Sequence, residues 1–459
     1  MYNVKSMEKK VGIVAGNKPK EVVRYFSDVI KECELPAFHT DCDAEPGQLR
    51  MLSLFSGCGG MDLGFEGDFI CNAKSVPEDS GWTERKINDN WVLLKKNRFT
   101  TIFANDILEE AFHSWTEYMK RFGKDSSVYH LESVVDMVKL QHSGKKVFPE
   151  NVDIVTGGFP CQDFSVAGKR LGFNSVTSHD GNKFQDEVAT EENRGKLYFW
   201  MKQVIDITKP KIFVAENVKG LTNLGNVKDI IQRDFSQADG DGYIVLPPRV
   251  LHAGDYGVPE SRERVIFIGI RRSALNGKAR RMLEGGNIPE EYSPYPKPTH
   301  KFTRHSCGTL KPVTCRDVFD GILEPEASAD LSQRFYSKAK YMGRHCQGQT
   351  EIHLDGLAPT IRSEHHGNIE FRRLSADHGG MNIQELESGL RERRLTPREC
   401  AMIQTFPPDY PFVRYKDGSK HFQVSQSGAY KVIGNAVPPL LAYNIARRLQ
   451  DLWPFYFGI

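Results

Sequence analysis

The sequence predicts an α/β protein, a mostly parallel sheet with helices on both faces, interrupted by a smaller irregular domain. Three observations carry this prediction. Short apolar runs alternate with helical patterns at the spacing of βα units. A stretch rich in Pro, Gly and His, with no clean periodicity, separates residues 49–272 from a C-terminal segment at 393–459. At 459 residues the chain also exceeds what one minimal core organises.

The elements follow in chain order. Residues 1–48 hold one amphipathic helical pattern, about Pro19 to Glu34, then a polar acidic stretch, and read as an N-terminal appendage. Strand-like runs fall at Met51–Phe55, Thr101–Ala104, Val152–Thr156, Ile212–Ala215, Ile244–Val250 and Val265–Ile270. The last two are expected to pair antiparallel. Residues 68–98 form an insertion between the first two strands. Residues 273–392 make the irregular domain, and residues 393–459 return to complete the sheet domain. Thr396 caps a helix that opens with Pro397-Arg398-Glu399, and a final helix runs from about Pro438 to Leu452.

Composition narrows the setting. Hydrophobic content of 39% with 26% charged residues fits a soluble globular enzyme. No run of 18 apolar residues exists, so no membrane span is expected, and Met1 to Lys20 lacks the apolar core of a secretory signal. The nine cysteines are odd in number and contain no CxxC pair. That argues for a reducing, cytoplasmic setting and against a disulfide framework or a structural zinc. A net charge of +2 neither demands nor excludes a nucleic-acid partner.

Five features carry chemistry. Gly157-Gly158-Phe159-Pro160-Cys161 follows an apolar strand, so the turn presents Cys161 at a strand's carboxyl end, where open α/β sheets bind ligands. A buried structural cysteine is the competing reading. Phe55-Ser56-Gly57-Cys58-Gly59-Gly60 is a strand, a glycine turn and a helix start, suited to close approach by a ligand, although Asp62 stands where a third fingerprint glycine would be. Asp106 ends the second strand, where an acid accepts hydrogen bonds from ribose hydroxyls or caps a helix. Glu216 lies at the same sheet edge as Cys161. Arg262 and Arg264, at i and i+2, point the same way if the segment is extended.

The ordered set Phe55-x-Gly57-x-Gly59-Gly60, Pro160-Cys161-Gln162, Glu216-Asn217-Val218, Arg262-x-Arg264 and Gly434-Asn435-x-Val437 resembles the cytosine-C5 DNA methyltransferases of bacterial restriction-modification systems. The resemblance covers residues 51–272 and 393–448. It implies a Rossmann-like S-adenosylmethionine-dependent methyltransferase sheet, with residues 273–392 as target-recognition domain. It implies that Cys161 adds to cytosine C6, that Glu216 hydrogen-bonds the exocyclic amine and protonated N3, and that Arg264 and Arg262 hold O2 and the surrounding carboxylate. C6 is out of reach inside a duplex, so the base must flip out.

The same resemblance implies an S-adenosylmethionine site made by Phe55, Ser56, Gly57, Gly59, Gly60, Asp106, Ile107, Pro160, Leu197, Asn435, Ala436 and Val437, with no metal. No Asp falls at a strand end within Leu131–Asp136, so the adenine-contacting acid is left unassigned. Gln162, Ser165 and Lys169 look like a loop closing over the extruded cytidine. Arg362, His365 and Asn368 lie in a polar stretch suited to reading bases. The expected partner is double-stranded DNA, bound by a monomer, with a cognate restriction endonuclease as functional counterpart. A transfer-RNA cytosine as substrate, or a DNA-bound repressor without catalysis, are the alternatives.

Overall fold

The computed structural model describes residue 45 and residues 47–160, 197–223, 226–363 and 369–458. The helical pattern at Pro19 to Glu34, and Cys161, Gln162, Ser165, Lys169, His365 and Asn368, lie outside the described residues. An eight-stranded mixed sheet organises the rest. Its strands are β1 (Leu49–Leu54), β2 (Phe99–Asp106), β3 (Tyr129–Leu131), β4 (Ile154–Gly158), β5 (Ile212–Val218), β6 (Tyr243–Val245), β7 (Arg249–His252) and β8 (Glu263–Arg271). The spatial order is β7-β8-β5-β4-β1-β2-β3, with β6 pairing beside β7 on the far end of β8. Strands β3, β2, β1, β4 and β5 run parallel, and β8 is antiparallel to β5, β6 and β7.

Alternate residues of the strands enter two separate apolar clusters, which is why the strands read as continuous apolar runs. Met51, Ile154, Ile212, Val214, Ile266 and Ile268 face one cluster. Leu52, Val155, Phe213, Ala215, Val265 and Phe267 face the other. The first face is covered by α1 (Gly60–Glu66), α2 (Glu109–Met119) and the long C-terminal helix α8 (Pro439–Phe457). The second is covered by α3 (Val134–His142), α4 (Leu197–Thr208) and α5 (Val227–Ser236). This is the expected α/β architecture with helices on both faces. Among the described residues, no helix is long and apolar enough to cross a membrane.

Two strand expectations change. The run read as Ile244–Val250 is two strands, β6 and β7, because Pro247 and Pro248 between them have no N–H to donate to the ladder. The region Leu131–Asp136 is strand only as far as Leu131. Ser133 stands at the N-cap of α3, and Asp136 lies in that helix's first turn.

The insertion at 68–98 folds as a small sheet of Ile70–Asn72, Thr83–Lys86 and Trp91–Leu94. It braces the segment around residues 300–320. Lys74 Nζ pairs with Asp317 Oδ1 at 2.6 Å, Asn90 Nδ2 donates to Asp320 Oδ2 at 2.7 Å, and the Lys74 carbonyl meets His300 Nε2 at 2.9 Å. Toward the C-terminus, α6 (Pro397–Ile403) opens with the capping box its sequence promises. Thr396 Oγ1 accepts from Glu399 N, and the Glu399 carboxylate accepts from Thr396 N. The Phe371–Arg373 and Arg393–Arg394 strands pair antiparallel. Their Arg373 and Arg393 share Glu324, at 2.5 and 2.8 Å.

This Glu324 network makes stability depend on pH. Burial raises the carboxyl, but the Arg393 and Arg373 guanidiniums outweigh it and bring Glu324 down to about 2 from the ordinary 4.5. A depressed folded pKa stabilises the fold above the unfolded value, and that stabilisation is lost as pH falls. Urea midpoints measured between about pH 4.5 and about pH 2 are therefore expected to fall less steeply in Glu324→Gln than in wild type.

Candidate active site

The sheet order reverses between neighbours β1 and β4, and the carboxyl ends of strands at such a switch point are where open α/β sheets bind ligands. On the β1 side, Phe55 adopts a left-handed φ of 52° and starts the turn. Ser56 is buried, its N donates to Asn105 O at 2.8 Å, and its hydroxyl donates to Ser53 O at 3.1 Å. Gly57 N donates to Asp106 Oδ2 at 3.0 Å, while Ile107 N and Leu108 N donate to Asp106 Oδ1 at 2.7 and 3.1 Å. Burial raises the Asp106 carboxyl above the usual range, partly offset by these three backbone donors.

The glycines divide the work. Gly57 has a φ of 54°, and a Cβ there would meet nothing within 4 Å, so the turn opens onto free space beside Asp106. Gly60 faces inward, where a Cβ would stand 2.2 Å from Val437 O. Asp62 is fully buried, accepts from Ser53 Oγ at 2.5 Å and Trp115 Nε1 at 2.6 Å, and is pushed by burial to about 6. It ties α1 to β1 and α2, which is why no third glycine is needed there. Ile107 at the end of β2 and Leu131 at the end of β3 are exposed, at 44% and 38%. An open glycine turn, an acid with a lone pair left on Oδ2, and two bare apolar side chains fit a nucleoside with an amino-acid tail.

On the β4 side, Gly158 pairs with Glu216 of β5, and a Cβ on Gly158 would stand 2.8 Å from Glu216 Oε2. The glycine therefore lets the carboxylate lie against the turn that leads through Phe159 and half-buried Pro160 to Cys161. Asn217 Nδ2 donates to Phe159 O at 3.1 Å and holds that turn to β5. Arg264 Nε pairs with Glu216 Oε1 at 2.6 Å, with both side chains about nine-tenths buried. Burial raises the Glu216 carboxyl, while Arg264 and then Arg262 draw it partly back. A carboxyl so poised both accepts from an amine and keeps a proton to higher pH than an ordinary glutamate.

Arg262 does something else. It falls at the break between the two-residue strand Glu260–Ser261, which pairs with Ala358–Pro359, and β8, so the i, i+2 alternation with Arg264 does not hold. Its side chain is fully buried and donates to Ile361 O at 3.0 Å, Gly434 O at 3.0 Å and Ala436 O at 2.8 Å, with Glu260 Oε1 at 3.4 Å. These contacts join the start of β8 to Ile361 and to the turn Gly434–Ala436.

The remaining expected residues separate in the same way. Ala436 and Val437 are buried against the glycine turn, and Asn435, at the end of α7 (Gln426–Asn435), is exposed. Leu197 opens α4 and is buried in the apolar cluster that also holds Phe159. Arg362, its side chain 30% exposed, pairs with buried Glu370 at 2.8 Å. Gly158, Asn217 and Glu260 were not foreseen as positioning groups. The Gly157-Gly158 doublet was the available signal for the first, since only a residue without Cβ admits the carboxylate. Among the described residues, no group of three or more His, Cys, Asp or Glu is placed to hold a metal.

Residues 49–451 match the family model for C-5 cytosine-specific DNA methylase. The chain is 32% identical over 416 residues to the Type II methyltransferase M.BsuRI of Bacillus subtilis, covering 89% of this chain and 81% of that protein. It is 32% identical to M.BspRI of Lysinibacillus sphaericus, with 88% and 82% covered. In fold it is similar to the crystal structure of S. pombe Dnmt2 methyltransferase, with a TM-score of 0.51 at 17% identity, over 88% of this chain and 99% of that one.

Removing the Arg262 guanidinium leaves Glu260 buried and three carbonyls unpaired. Arg262→Ala is expected to lose about 3–5 kcal/mol of unfolding free energy in denaturant titration.

Proposed function

The chain belongs to the C-5 cytosine-specific DNA methylase family, and from that premise we propose that it modifies one duplex DNA sequence through a covalent bond between Cys161 and cytosine C6. It is a DNA cytosine-5 methyltransferase of the restriction-modification type, with S-adenosylmethionine as methyl donor. The observation that carries the mechanistic reading is the buried Glu216–Arg264 pair, seated against the Gly158 turn that runs into Cys161.

On this reading Phe55, Gly57, Asp106 and Ile107 cradle the cofactor, with Ala436 and Val437 packed behind the turn. When bound, it supplies an electrophilic methyl group to C5. The Cys161 thiolate forms a bond to C6 of the flipped-out base, and the electron pair moves onto C5. Glu216, held by Arg264, donates to N3 and accepts from the exocyclic amine, offsetting charge on the ring as the S–C6 bond forms. Once C5 is methylated, loss of its proton returns the electron pair and expels the thiolate. Arg262 acts at one remove, by fixing the strand that carries Arg264.

Residues 273–392 are proposed as target-recognition domain on residues 49–272 and 393–459, with residues 1–48 as an appendage. Gln162, Ser165 and Lys169 are assigned to the closing loop, and His365 and Asn368 to base contacts. A cytoplasmic, nucleoid-associated monomer working opposite a cognate endonuclease completes the proposal.

Purified protein with methyl-labelled S-adenosylmethionine is expected to label duplex DNA, and Cys161→Ser to label none. RNA labelled in preference to DNA would overturn the substrate. DNA carrying 5-fluorocytosine at the target should trap a covalent adduct, since no C5 proton can leave, and an adduct surviving in Cys161→Ser would overturn the nucleophile. Glu216→Gln should lower kcat by about 10²- to 10⁴-fold with cofactor affinity unchanged. Gly158→Ala, whose methyl would displace the Glu216 carboxylate, should likewise act on kcat while the thermal midpoint stays near wild type.

A further inference from the structure

Phe302 is a large apolar side chain left 42% exposed, and its turn is unusually well fixed. Asp255, only 5% exposed, accepts from Phe302 N at 3.0 Å and Thr303 N at 2.8 Å on Oδ1, and from Thr303 Oγ1 at 2.7 Å on Oδ2. The Asp255 carbonyl accepts from Thr299 N and His300 N, each at 2.9 Å. Behind the ring lies His252, with centroids 4.8 Å apart and planes at 31°. His252 Nδ1 accepts from Gly254 N at 3.1 Å, so Nε2 carries the proton toward Ser261 Oγ at 3.3 Å, and the imidazole is a neutral backing plate.

The sheet says where this platform faces. His252 ends β7 opposite Glu263, and Leu251 pairs with Arg264, which pairs across β8 with Val218 of β5. Strands β7 and β5 point the same way, both antiparallel to β8. His252, on which Phe302 lies, is therefore at the edge that carries Glu216, two strand spacings across and three residues further along, or about 14 Å away. Bases rise by about 3.4 Å per step, so this distance spans about four base-pair steps. Lys301, Arg304 and His305 beside it are exposed, suited to phosphates on either side of an aromatic contact.

We propose that Phe302 is a specificity-determining residue: its ring, backed by His252, lies against a base within about four steps of the extruded cytosine, with Arg304 on a flanking phosphate. The proposal rests on the reading of duplex DNA as substrate. An apolar ring fixed from behind discriminates bases by shape and by methyl groups, and tolerates little displacement.

The test begins with bisulfite sequencing of DNA methylated by the wild-type enzyme. Duplexes are then made with the mapped site and with each single base-pair change up to about four steps from the target. Phe302→Ala is expected to raise KM for the cognate duplex about tenfold, with kcat little changed, and to shrink the penalty at one neighbouring position about tenfold. Phe302→Leu should recover part of both, while cofactor affinity and thermal midpoint stay at wild-type values. Arg304→Ala should raise KM equally for all duplexes and flatten its salt dependence. Unchanged KM and unchanged penalties at every position in Phe302→Ala would overturn the proposal alone. A wild-type enzyme that labels no duplex would overturn the substrate reading and this inference with it.

Discussion

The buried guanidinium of Arg262 is the constraint on which the rest of the molecule depends. It joins Glu260 to Ile361 and to the turn Gly434–Ala436, segments about 100 and 170 residues away along the chain. The Glu260 carboxylate also accepts from Ile361 N at 2.7 Å. Through these bonds the start of β8, the irregular region and the C-terminal helices meet at one point. The same C-terminal turn brings the Val437 carbonyl against Gly60, at a distance only a residue without Cβ permits. One desolvated cation therefore registers the glycine turn on one side of the crevice with the strand carrying Arg264 on the other. Such a group is costly to bury and costlier to leave unpaired, and its two terminal nitrogens are spent on three backbone carbonyls and one carboxylate.

The electrostatics of the crevice follow from that register. Glu216 lies in a dry environment that favours its neutral form, and one arginine at 2.6 Å holds it partway toward the charged form. This balance supports the proposed role of Glu216, sharing a proton with a cytosine ring whose charge changes during the reaction. Asp106 has a different task. It is buried too, but three backbone N–H groups fix its carboxylate beside a turn that opens to free space. Two acids on one sheet edge thus have separate partners: a guanidinium for Glu216, and backbone amides for Asp106.

Much of this was legible in the chain. The runs at Met51–Phe55, Thr101–Ala104, Val152–Thr156 and Ile212–Ala215 are strands because alternate residues of a fully covered sheet face two apolar clusters, leaving continuous hydrophobic runs. The capping box at Thr396 was legible because its geometry spans three residues. Strand β3 was placed too late and the β6–β7 run was joined because both are short, and short apolar runs carry little periodicity. The partners of Arg262 and Arg362 were not legible for a different reason. Each finds its partner, Gly434 or Glu370, through contacts between segments far apart or across a turn.

By itself the sequence determined the family chemistry: a thiol on a Pro-Cys turn, a glutamate at a strand end, arginines before the next strand and a glycine turn ahead of them. These are local patterns, since residue type and spacing within a few positions decide what a turn or strand end can present. Only the tertiary structure decided which arginine serves the carboxylate and which serves the fold, that Gly158 exists to admit Glu216, and that Phe302 stands at the same edge as Glu216. These outcomes depend on contacts between segments far apart in the chain. Burial and register across the sheet set them, and neither is written in any one stretch of residues.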